Sequence, residues 1–495
     1  MPGGRRRGSA TITGMDTAGR IAAAAPELAA RLASFVARER LPGAAAGVVC
    51  GDDLAWLAGT GFADLATGKA TDPAMRYGIA SITKTFTGTA IMRLRDAGRL
   101  GLDDPAVAWL PELGALVSPF GPVESVTIRR MLSHESGLPA EPPGTDWSVP
   151  AYQGAPVLTL GQAGQIRVQF PPHARHGYSD LAYQWLGEIV TRASGTPYPE
   201  YVRDAILDPL GMTATGFGPG PAFPGPAFPP DQCATGYDWR GLSDDLEQAP
   251  PMPPVWAEGG LWSCVPDLAR WVSFQLRAYR EPAVAGAAVP GAAAVPDAPV
   301  LDAASVREMH KPRYLADDQW TEAWGISWRG TRREDVTWIG HSGGIPGFTS
   351  TICFDPAAQV GAVVLVNGTC GGVALGLELA AAARDLTRGL PPAPGTPPAP
   401  APERYRPLLG VYARASLGGW LLRLEWRDGK LTFTAGEAPG WQVVLTSTPD
   451  PDRFAVADGS TAPGGSVTFR RSAGGRVVSV FFLDFTWVRL DRVTA

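Results

Sequence analysis

The chain has 495 residues, of which 45% are hydrophobic and 18% are charged. This composition is typical of a folded globular protein and excludes wholesale disorder, collagen and a coiled coil, and the length allows about three domains. Forty-three basic residues against 48 acidic ones leave a net charge of −5, so no overall positive field would attract nucleic acid or an anionic membrane. Five cysteines without a C-x-x-C pair argue against a disulfide framework or a structural zinc site.

The start of the chain carries arginines followed by glycine, serine and threonine, which predicts a disordered segment over residues 1–16. A secretory signal needs an apolar core of about 7–15 residues after its basic patch, and this start does not supply one. No stretch of the sequence approaches the roughly 18 apolar residues that a membrane-spanning helix needs. We therefore expect a cytoplasmic protein without a membrane span.

The order of elements along the chain predicts an α+β domain over residues 17–388. Small apolar side chains recur at helical spacing over 17–40, and AAAGVVC and LAWLAGTG then flank a Gly-Asp-Asp turn at 51–53 as a predicted hairpin. Helices and loops fill the region from about 80 to 280. DVTWIGH, FTSTICFD and QVGAVVLVNG are three predicted strands, and GVALGLELAAAARDL is helical again. Strands therefore come from both ends of the unit, with helices inserted between them.

Proline-rich composition marks two further segments. Residues 216–231 contain the pentapeptide Gly-Pro-Ala-Phe-Pro twice and form a predicted loop. Residues 389–402 form a stretch typical of an extended linker, so we place the domain boundary there. Beyond it, over 403–495, alternating strands with a hairpin turn at Asp428-Gly429 predict an all-β barrel or sandwich.

Lysine is rare in this chain: four of the 43 basic residues are lysines, and the others are arginines. Lys84 follows Ser81 by three residues in an S-x-x-K motif, and on a helix this spacing puts the hydroxyl and the amine on one face. A serine at a helix start lies at the positive end of the helix dipole, where a developing negative charge is stabilised. A lysine, unlike an arginine, can give up its proton if burial lowers its pKa. The motif predicts a serine nucleophile with a lysine base, and the alternative is a capping serine beside a surface lysine.

Six segments in a fixed order carry a family resemblance: YGIASITKTFTG, TIRRMLSHESGL, PPHARHGYSDLAYQWLGEIV, ILDPLGMTATGF, EGGLWSCVPDLARW and GHSGGIPGFTS. Together they resemble the serine β-lactamase-related superfamily, specifically class C β-lactamases, β-lactamase-type esterases and D-aminopeptidase-like enzymes. The resemblance implies a β-lactamase/transpeptidase-like fold, in which an antiparallel five-stranded sheet from two early and three late strands is flanked by helices and joined to a helical subdomain. The all-β domain over 403–495 resembles the lipocalin-like tails of some D-aminopeptidase relatives.

The resemblance also implies roles for residues outside the S-x-x-K motif. Tyr178 would relay protons between Ser81, the leaving group and the attacking water, and the ammonium of Lys84 would lower the pKa of its phenol. The structural alternative is a tyrosine that only packs before a helix. The N–H groups of Ser81 and Gly344 would form the oxyanion hole, and no metal or organic cofactor is expected.

Two departures from the family pattern concern the expected substrate contacts, which are Asp180, His341, Ser342 and Gly343. Asp180 stands where the family usually has asparagine, and a carboxylate only accepts hydrogen bonds, which weighs against recognition of an acylamino group. His341-Ser342-Gly343 replaces the Lys-Thr-Gly of lactamases and penicillin-binding proteins. This leaves a weaker, pH-dependent cation for a substrate carboxylate.

Two other patterns compete with this interpretation. Residues 340–344 fit the G-x-S-x-G nucleophile elbow of α/β-hydrolases, but an elbow needs a following helix and a later histidine, and no histidine follows Ser342. His173-x-x-His176 fits a metal pair, but its proline-rich loop offers no evident third ligand. We adopt neither pattern.

The sequence thus predicts a serine hydrolase that forms an acyl-enzyme on Ser81 and cleaves a small ester, amide or short peptide. The alternatives are a true β-lactamase or an acyltransferase with the same site, and a non-catalytic binding or scaffolding member of the fold. No nucleic-acid partner is expected. Self-association through the all-β domain is a further hypothesis.

Overall fold

The computed structural model describes residues 15–39, 41–141, 160–217, 228–239, 246–248, 257–280, 300–316, 321–333, 335–345, 347–368, 372–392, 401–414, 421–427, 430–435, 442–457, 466–482 and 485–490. Three predictions therefore lie largely outside the described residues: the disordered start, the proline-rich loop and the linker. Asp16, which we had included in the disordered start, accepts a hydrogen bond from Gly19 N and caps the first helix.

The helices of the described residues are α1 (Thr17–Ala23), α2 (Ala25–Glu39), α3 (Thr83–Asp96), α4 (Ala106–Trp109), α5 (Ile128–Leu132), α6 (Asp180–Ser194), α7 (Tyr198–Val202), α8 (Val265–Arg277), α9 (Ala303–His310) and α10 (Gly372–Thr387). None of these helices is both long and apolar enough to cross a lipid bilayer.

The strands of the larger domain are β1 (Gly43–Cys50), β2 (Asp53–Asp64), β3 (Lys69–Ala70), β4 (Tyr77–Gly78), β5 (Gly216–Phe217), β6 (Tyr237–Trp239), β7 (Leu246–Gln248), β8 (Leu261–Ser263), β9 (Tyr314–Leu315), β10 (Glu322–Trp324), β11 (Arg329–Arg333), β12 (Val336–Ile345), β13 (Phe348–Asp355) and β14 (Val360–Val366). Those of the C-terminal region are β15 (Gly410–Arg414), β16 (Leu421–Arg427), β17 (Lys430–Ala435), β18 (Gln442–Ser447), β19 (Arg453–Val456), β20 (Ser466–Arg471), β21 (Val477–Phe482) and β22 (Phe485–Leu490).

A nine-stranded antiparallel sheet forms the centre of the larger domain, in the order β3-β2-β1-β14-β13-β12-β11-β10-β9. The predicted fold class is confirmed, because the five predicted strands, β1, β2, β12, β13 and β14, lie side by side in this sheet. The remaining four strands extend it on both sides. We did not predict this extension because strands of two to five residues leave too little alternation to recognise.

Both faces of the sheet are covered, which explains the continuous apolar run of β14. Val364 packs in the core that also contains residues of α2 and α10, whereas its neighbour Val363 packs in the core that contains α8 and the helical region. Side chains of a strand alternate between the two faces, so a strand with two covered faces needs apolar residues at every position.

Helix α3 is buried along nearly its whole length beside this sheet. Its Phe86 ring stacks on Trp271 of α8, with ring centroids 4.1 Å apart. Thr85 and Thr89 donate their hydroxyl protons to backbone carbonyls of the preceding turn, so these buried polar groups are satisfied. The packing holds the first turn of α3, which carries Lys84, in a fixed place.

The predicted all-β domain is a closed barrel of strands β15 to β22, because the first strand, β15, pairs with the last strand, β22. Phe433 stacks on both Phe469 and Phe482 inside it, so side chains fill the interior. Arg423 of β16 forms an ion pair with Glu39 at the end of α2.

Candidate active site

Ser81 lies in a tight 3-10 turn, residues 80–82, directly before α3. The turn is held from the sheet, because Ser350 Oγ donates a hydrogen bond of 2.7 Å to Ile79 O. Ala80 has φ = 46°, in the left-handed region, where a non-glycine residue costs about 1–3 kcal/mol. The structure therefore places the predicted nucleophile in a strained turn at a helix start.

Gly343 of β12 packs directly against this turn. A Cβ at position 343 would lie 2.2 Å from Ile79 O and 2.9 Å from Ala80 Cβ, so only glycine allows this close approach. At the next residue, Gly344, a Cβ would meet no atom within 4 Å. The end of β12 thus contacts the turn that carries Ser81 at Gly343, and there is free space next to Gly344.

Lys84 is fully buried and donates three hydrogen bonds. The acceptors are Ser81 Oγ at 3.1 Å, the backbone oxygen of Glu258 at 2.7 Å and a carboxylate oxygen of Asp180. An ammonium has three N–H donors, so every proton of Lys84 has a partner. Asp180, a predicted substrate contact, forms an ion pair with Lys84 that the sequence analysis did not predict.

The charge states differ from those that the sequence predicted. Burial by itself lowers the pKa of Lys84, but Asp180 and Tyr178 outweigh burial and raise the pKa above its usual range. For Tyr178, burial outweighs the nearby ammonium and raises the pKa to about 12. Both predicted pKa shifts were wrong in direction, because the carboxylate next to Lys84 and the depth of the phenol were not visible in the sequence. At pH 7 the free protein holds an ammonium and a neutral phenol.

Tyr178 is held beside Ser81 and Lys84 by the loop that contains His134. The two rings stack with centroids 4.2 Å apart, and His134 Nδ1 accepts a hydrogen bond of 3.1 Å from Ser179 N. Burial lowers the pKa of His134 well below its usual value, so its ring is neutral and can accept this bond. Tyr178 in turn interacts with the side chains of Ser81 and Lys84.

The end of β12 forms an open edge next to the turn that carries Ser81. Strand β11 pairs with β12 only as far as Gly340, which leaves residues 341–345 unpaired on that side among the described strands. His341 lies on this edge, but it is only 5% exposed, and its Nδ1 is 2.6 Å from Ser342 O. Burial lowers the pKa of His341 to about 3. The prediction of a pH-dependent cation is therefore wrong, because His341 is neutral at pH 7.

Ser342 pairs with Thr351 of β13, and both residues line a small cavity next to α10 that His341 also lines. Contact of Ser342 with a substrate stays a prediction. β12 continues to Ile345 and is followed by strand β13. A nucleophile elbow would need a helix there.

Sequence reasoning missed two residues of the site. Trp324 of β10 packs within 5.6 Å of the ring centroids of Tyr178 and His341, but a lone tryptophan in a three-residue strand gave no signal. Glu258 is 3% exposed, and its backbone oxygen binds Lys84. The sequence signal for Glu258 is an acidic residue directly before a pair of glycines and a buried strand.

The two histidines of the H-x-x-H pattern have other partners. His173 Nδ1 is hydrogen-bonded to the carboxyl group of Glu135, and His176 stacks on Trp324 with ring centroids 5.4 Å apart. The described part of the chain contains no group of three side chains that could hold a metal ion.

Residues 28–385 match the family model described as Beta-lactamase, which covers well over half of the chain. The chain belongs to the Beta-lactamase family. It is similar to Protein flp from Staphylococcus aureus (strain COL), with 26% identity over 330 residues, which are 66% of this chain and 60% of that protein. It is also similar to Beta-lactamase-like protein 2 from Dictyostelium discoideum, with 34% identity over 145 residues, or 28% of this chain and 26% of that protein. The chain thus spans about 60% of the length of flp.

Three solved structures have the same fold as this Beta-lactamase family member. The octameric penicillin-binding protein homologue from Pyrococcus abyssi has a TM-score of 0.60 at 21% identity, over 94% of this chain and 99% of that one. A D-stereospecific amidohydrolase from Streptomyces sp. has a TM-score of 0.55 at 24% identity, over 70% of this chain and 94% of that one. The D-amino acid amidase from Ochrobactrum anthropi SV3 has a TM-score of 0.55 at 22% identity, over 69% of this chain and 91% of that one.

Proposed function

We propose that this chain is a serine hydrolase that forms an acyl-enzyme on Ser81. The observation that carries the proposal is the hydrogen bond of 3.1 Å between Lys84 Nζ and Ser81 Oγ, with Tyr178 interacting with both. A nucleophile, a group that can take its proton and a second proton carrier are the parts that acyl transfer needs.

Asp180 is the group that allows Lys84 to act as the base. Lys84 must lose a proton before it can accept one from Ser81, and the Asp180 carboxylate already accepts a hydrogen bond from its ammonium. When a bound substrate excludes water, transfer of this proton converts the ion pair to a neutral pair, which a site of low dielectric constant favours. Lys84 then accepts the Ser81 proton as the bond between Oγ and the substrate carbonyl carbon forms.

The tetrahedral intermediate collapses when the bond from the carbonyl carbon to the leaving oxygen or nitrogen breaks. Lys84 returns the proton to the leaving group through Tyr178, and the N–H groups of Ser81 and Gly344 bind the oxyanion. Water then attacks the acyl ester and gives one proton through the same residues to Ser81 Oγ. The acid is released, the proton on Asp180 returns to Lys84 as water re-enters the site, and the free enzyme with its ion pair is regenerated.

The charge of the site favours a substrate without a carboxylate next to the scissile bond. His341 is neutral, so it offers no cation where lactamases carry lysine. We therefore propose a small ester or amide as the substrate in preference to a penicillin-type β-lactam. D-Amino-acid amides belong in the first substrate panel, because two of the solved structures are named a D-stereospecific amidohydrolase and a D-amino acid amidase.

A fluorophosphonate probe followed by peptide mass mapping tests the proposal. We expect one adduct on Ser81 in the natural chain, none in Ser81→Ala, and labelling slower by about 10²- to 10⁴-fold in Tyr178→Phe. A folded natural chain that takes up no adduct would refute the enzyme and favour a non-catalytic binding role.

The substrate class is tested separately with p-nitrophenyl esters, D-amino-acid amides and nitrocefin. Turnover of an ester or amide with little turnover of nitrocefin is the expected result. Faster hydrolysis of nitrocefin would instead support a true β-lactamase. Addition of an alcohol or amine acceptor to the ester assay distinguishes an acyltransferase, because a transferase forms the new ester or amide at the expense of the free acid.

Self-association through the barrel stays a prediction. Val478 and Phe481 of β21 are exposed on its outer surface, and one solved structure of the same fold is described as octameric. Light scattering on the full chain, with Phe481→Glu as the comparison, gives the number of copies and shows whether this surface joins them.

A further inference from the structure

The segment that carries Glu258 is fastened to α3 beside the nucleophile. Thr87 Oγ1 donates a hydrogen bond of 2.6 Å to Ala257 O, and Lys84 Nζ donates one of 2.7 Å to Glu258 O. The main chain at Glu258 is therefore held against the first two turns of α3. These bonds fix the backbone of Glu258 next to Lys84, and its side chain, which is 3% exposed, is packed inside the protein.

The carboxyl group of Glu258 is buried and poorly solvated. Neither oxygen forms a full hydrogen bond with a described residue, although Gln184 of α6 lies close enough to interact. The other titratable groups that interact with it are Lys84 of α3, Asp180 of α6 and Tyr198 of α7. Burial raises the pKa of Glu258 to about 7, so the group changes charge within the working range of an enzyme.

The ammonium of Lys84 thus forms an ion pair with Asp180 and also interacts electrostatically with the buried carboxyl group of Glu258. With Glu258 neutral, the group formed by Lys84, Asp180 and Glu258 has no net charge, and with Glu258 ionised it has a net charge of −1. Proton transfer from Lys84 to Asp180 has a low free-energy cost only when Glu258 is neutral. In the second state the same transfer removes the positive charge of Lys84, which stabilises the ionised Glu258, and leaves a buried carboxylate without it.

We propose that Glu258 is a positioning residue that controls, through its own protonation, whether Lys84 can act as the base for Ser81. The inference rests on the proposed function, because it concerns the acylation step. Protonated Glu258 permits the transfer from Lys84 to Asp180 and thereby the activation of Ser81. Ionised Glu258 holds the proton on Lys84 and slows acylation.

The test is the rate at which a neutral fluorophosphonate labels Ser81 between pH 5 and pH 9. In the natural chain we expect the rate to fall about tenfold or more as the pH rises, with a midpoint near pH 7. Glu258→Gln, which has nearly the shape of the protonated acid, should lose this fall. Asp267→Asn is the matched control, since Asp267 is also buried but accepts its hydrogen bonds from Ala214 and Thr215, away from the nucleophile. The control should keep the fall.

Glu258→Leu provides a second neutral variant in case the amide disturbs the site. A structural role alone would lower the labelling rate equally at every pH and leave the midpoint in place, and this result in both variants would overturn the inference. A natural chain that is labelled at the same rate at every pH would also overturn it, while leaving the acyl-enzyme proposal intact. Absence of any labelling of the folded natural chain would remove both.

Discussion

Replacement of Gly343 by alanine is expected to disturb the nucleophile through a contact that the structure defines. The added Cβ would lie 2.2 Å from Ile79 O, 2.5 Å from Ser350 Oγ and 2.9 Å from Ala80 Cβ. Ser350 can rotate, but the Ile79 carbonyl belongs to the turn that carries Ser81, so β12 and the turn must separate by about 1 Å to reach ordinary contact distances. Overpacking of this kind costs about 1–3 kcal/mol, and a displacement of about 1 Å in an active site can reduce the rate about 100-fold.

Two measurements follow from this geometry, namely urea denaturation and the rate of fluorophosphonate labelling of Ser81. Gly343→Ala should lower the free energy of unfolding by about 2 kcal/mol and slow the labelling about 100-fold. Gly344→Ala is the matched control for stability, because its Cβ would meet no atom within 4 Å, and its free energy of unfolding should change by less than about 0.5 kcal/mol. If Gly343→Ala unfolds at the same urea concentration as the natural chain and labels at the same rate, the reasoning about this contact is refuted.

Lys84→Arg should fold, as circular dichroism would show, but lose labelling of Ser81, because a guanidinium does not give up its proton; labelling at the natural rate would contradict the base role. Asp180→Asn removes the ion pair with Lys84 and should lower the free energy of unfolding by about 2 kcal/mol in urea at pH 7, and an unchanged midpoint would contradict the importance of that pair. Burial raises the pKa of Glu258 to about 7 in the folded chain, against about 4.3 in the unfolded chain. The stability that protonated Glu258 contributes is therefore fully present below pH 4, and it is lost as the pH rises through 7. Glu258→Gln lacks this loss and should be more stable than the natural chain by on the order of 3 kcal/mol at pH 8 and equally stable near pH 4, and equal urea midpoints at pH 8 would contradict the burial argument.

The fold and the reacting groups were predictable because their signals are local or come in a fixed order. Five strands of the central sheet follow from their hydrophobic patterns, and an all-β barrel or sandwich follows from alternating strands after the proline-rich segment, whereas closure of the barrel is visible only in the structure. Ser81 and Lys84 are three residues apart on one helical turn, so their proximity is a property of helix geometry. Tyr178 came from a motif match, and the structure places it beside both.

What the sequence by itself determined, therefore, is which residues are candidates for the reaction. Only the tertiary structure decided which charged groups surround these residues and how far their pKa values are shifted. Asp180 lies 96 residues after Lys84 and Glu258 lies 174 residues after it, yet the ammonium donates hydrogen bonds to the carboxylate of Asp180 and to the backbone oxygen of Glu258. The pKa values of Lys84, Tyr178 and His341 depend on burial and on charges that are distant along the chain, and neither quantity is encoded in any short segment of sequence. Folding brings these charges together, and in the function that we propose their balance sets whether Ser81 can be activated.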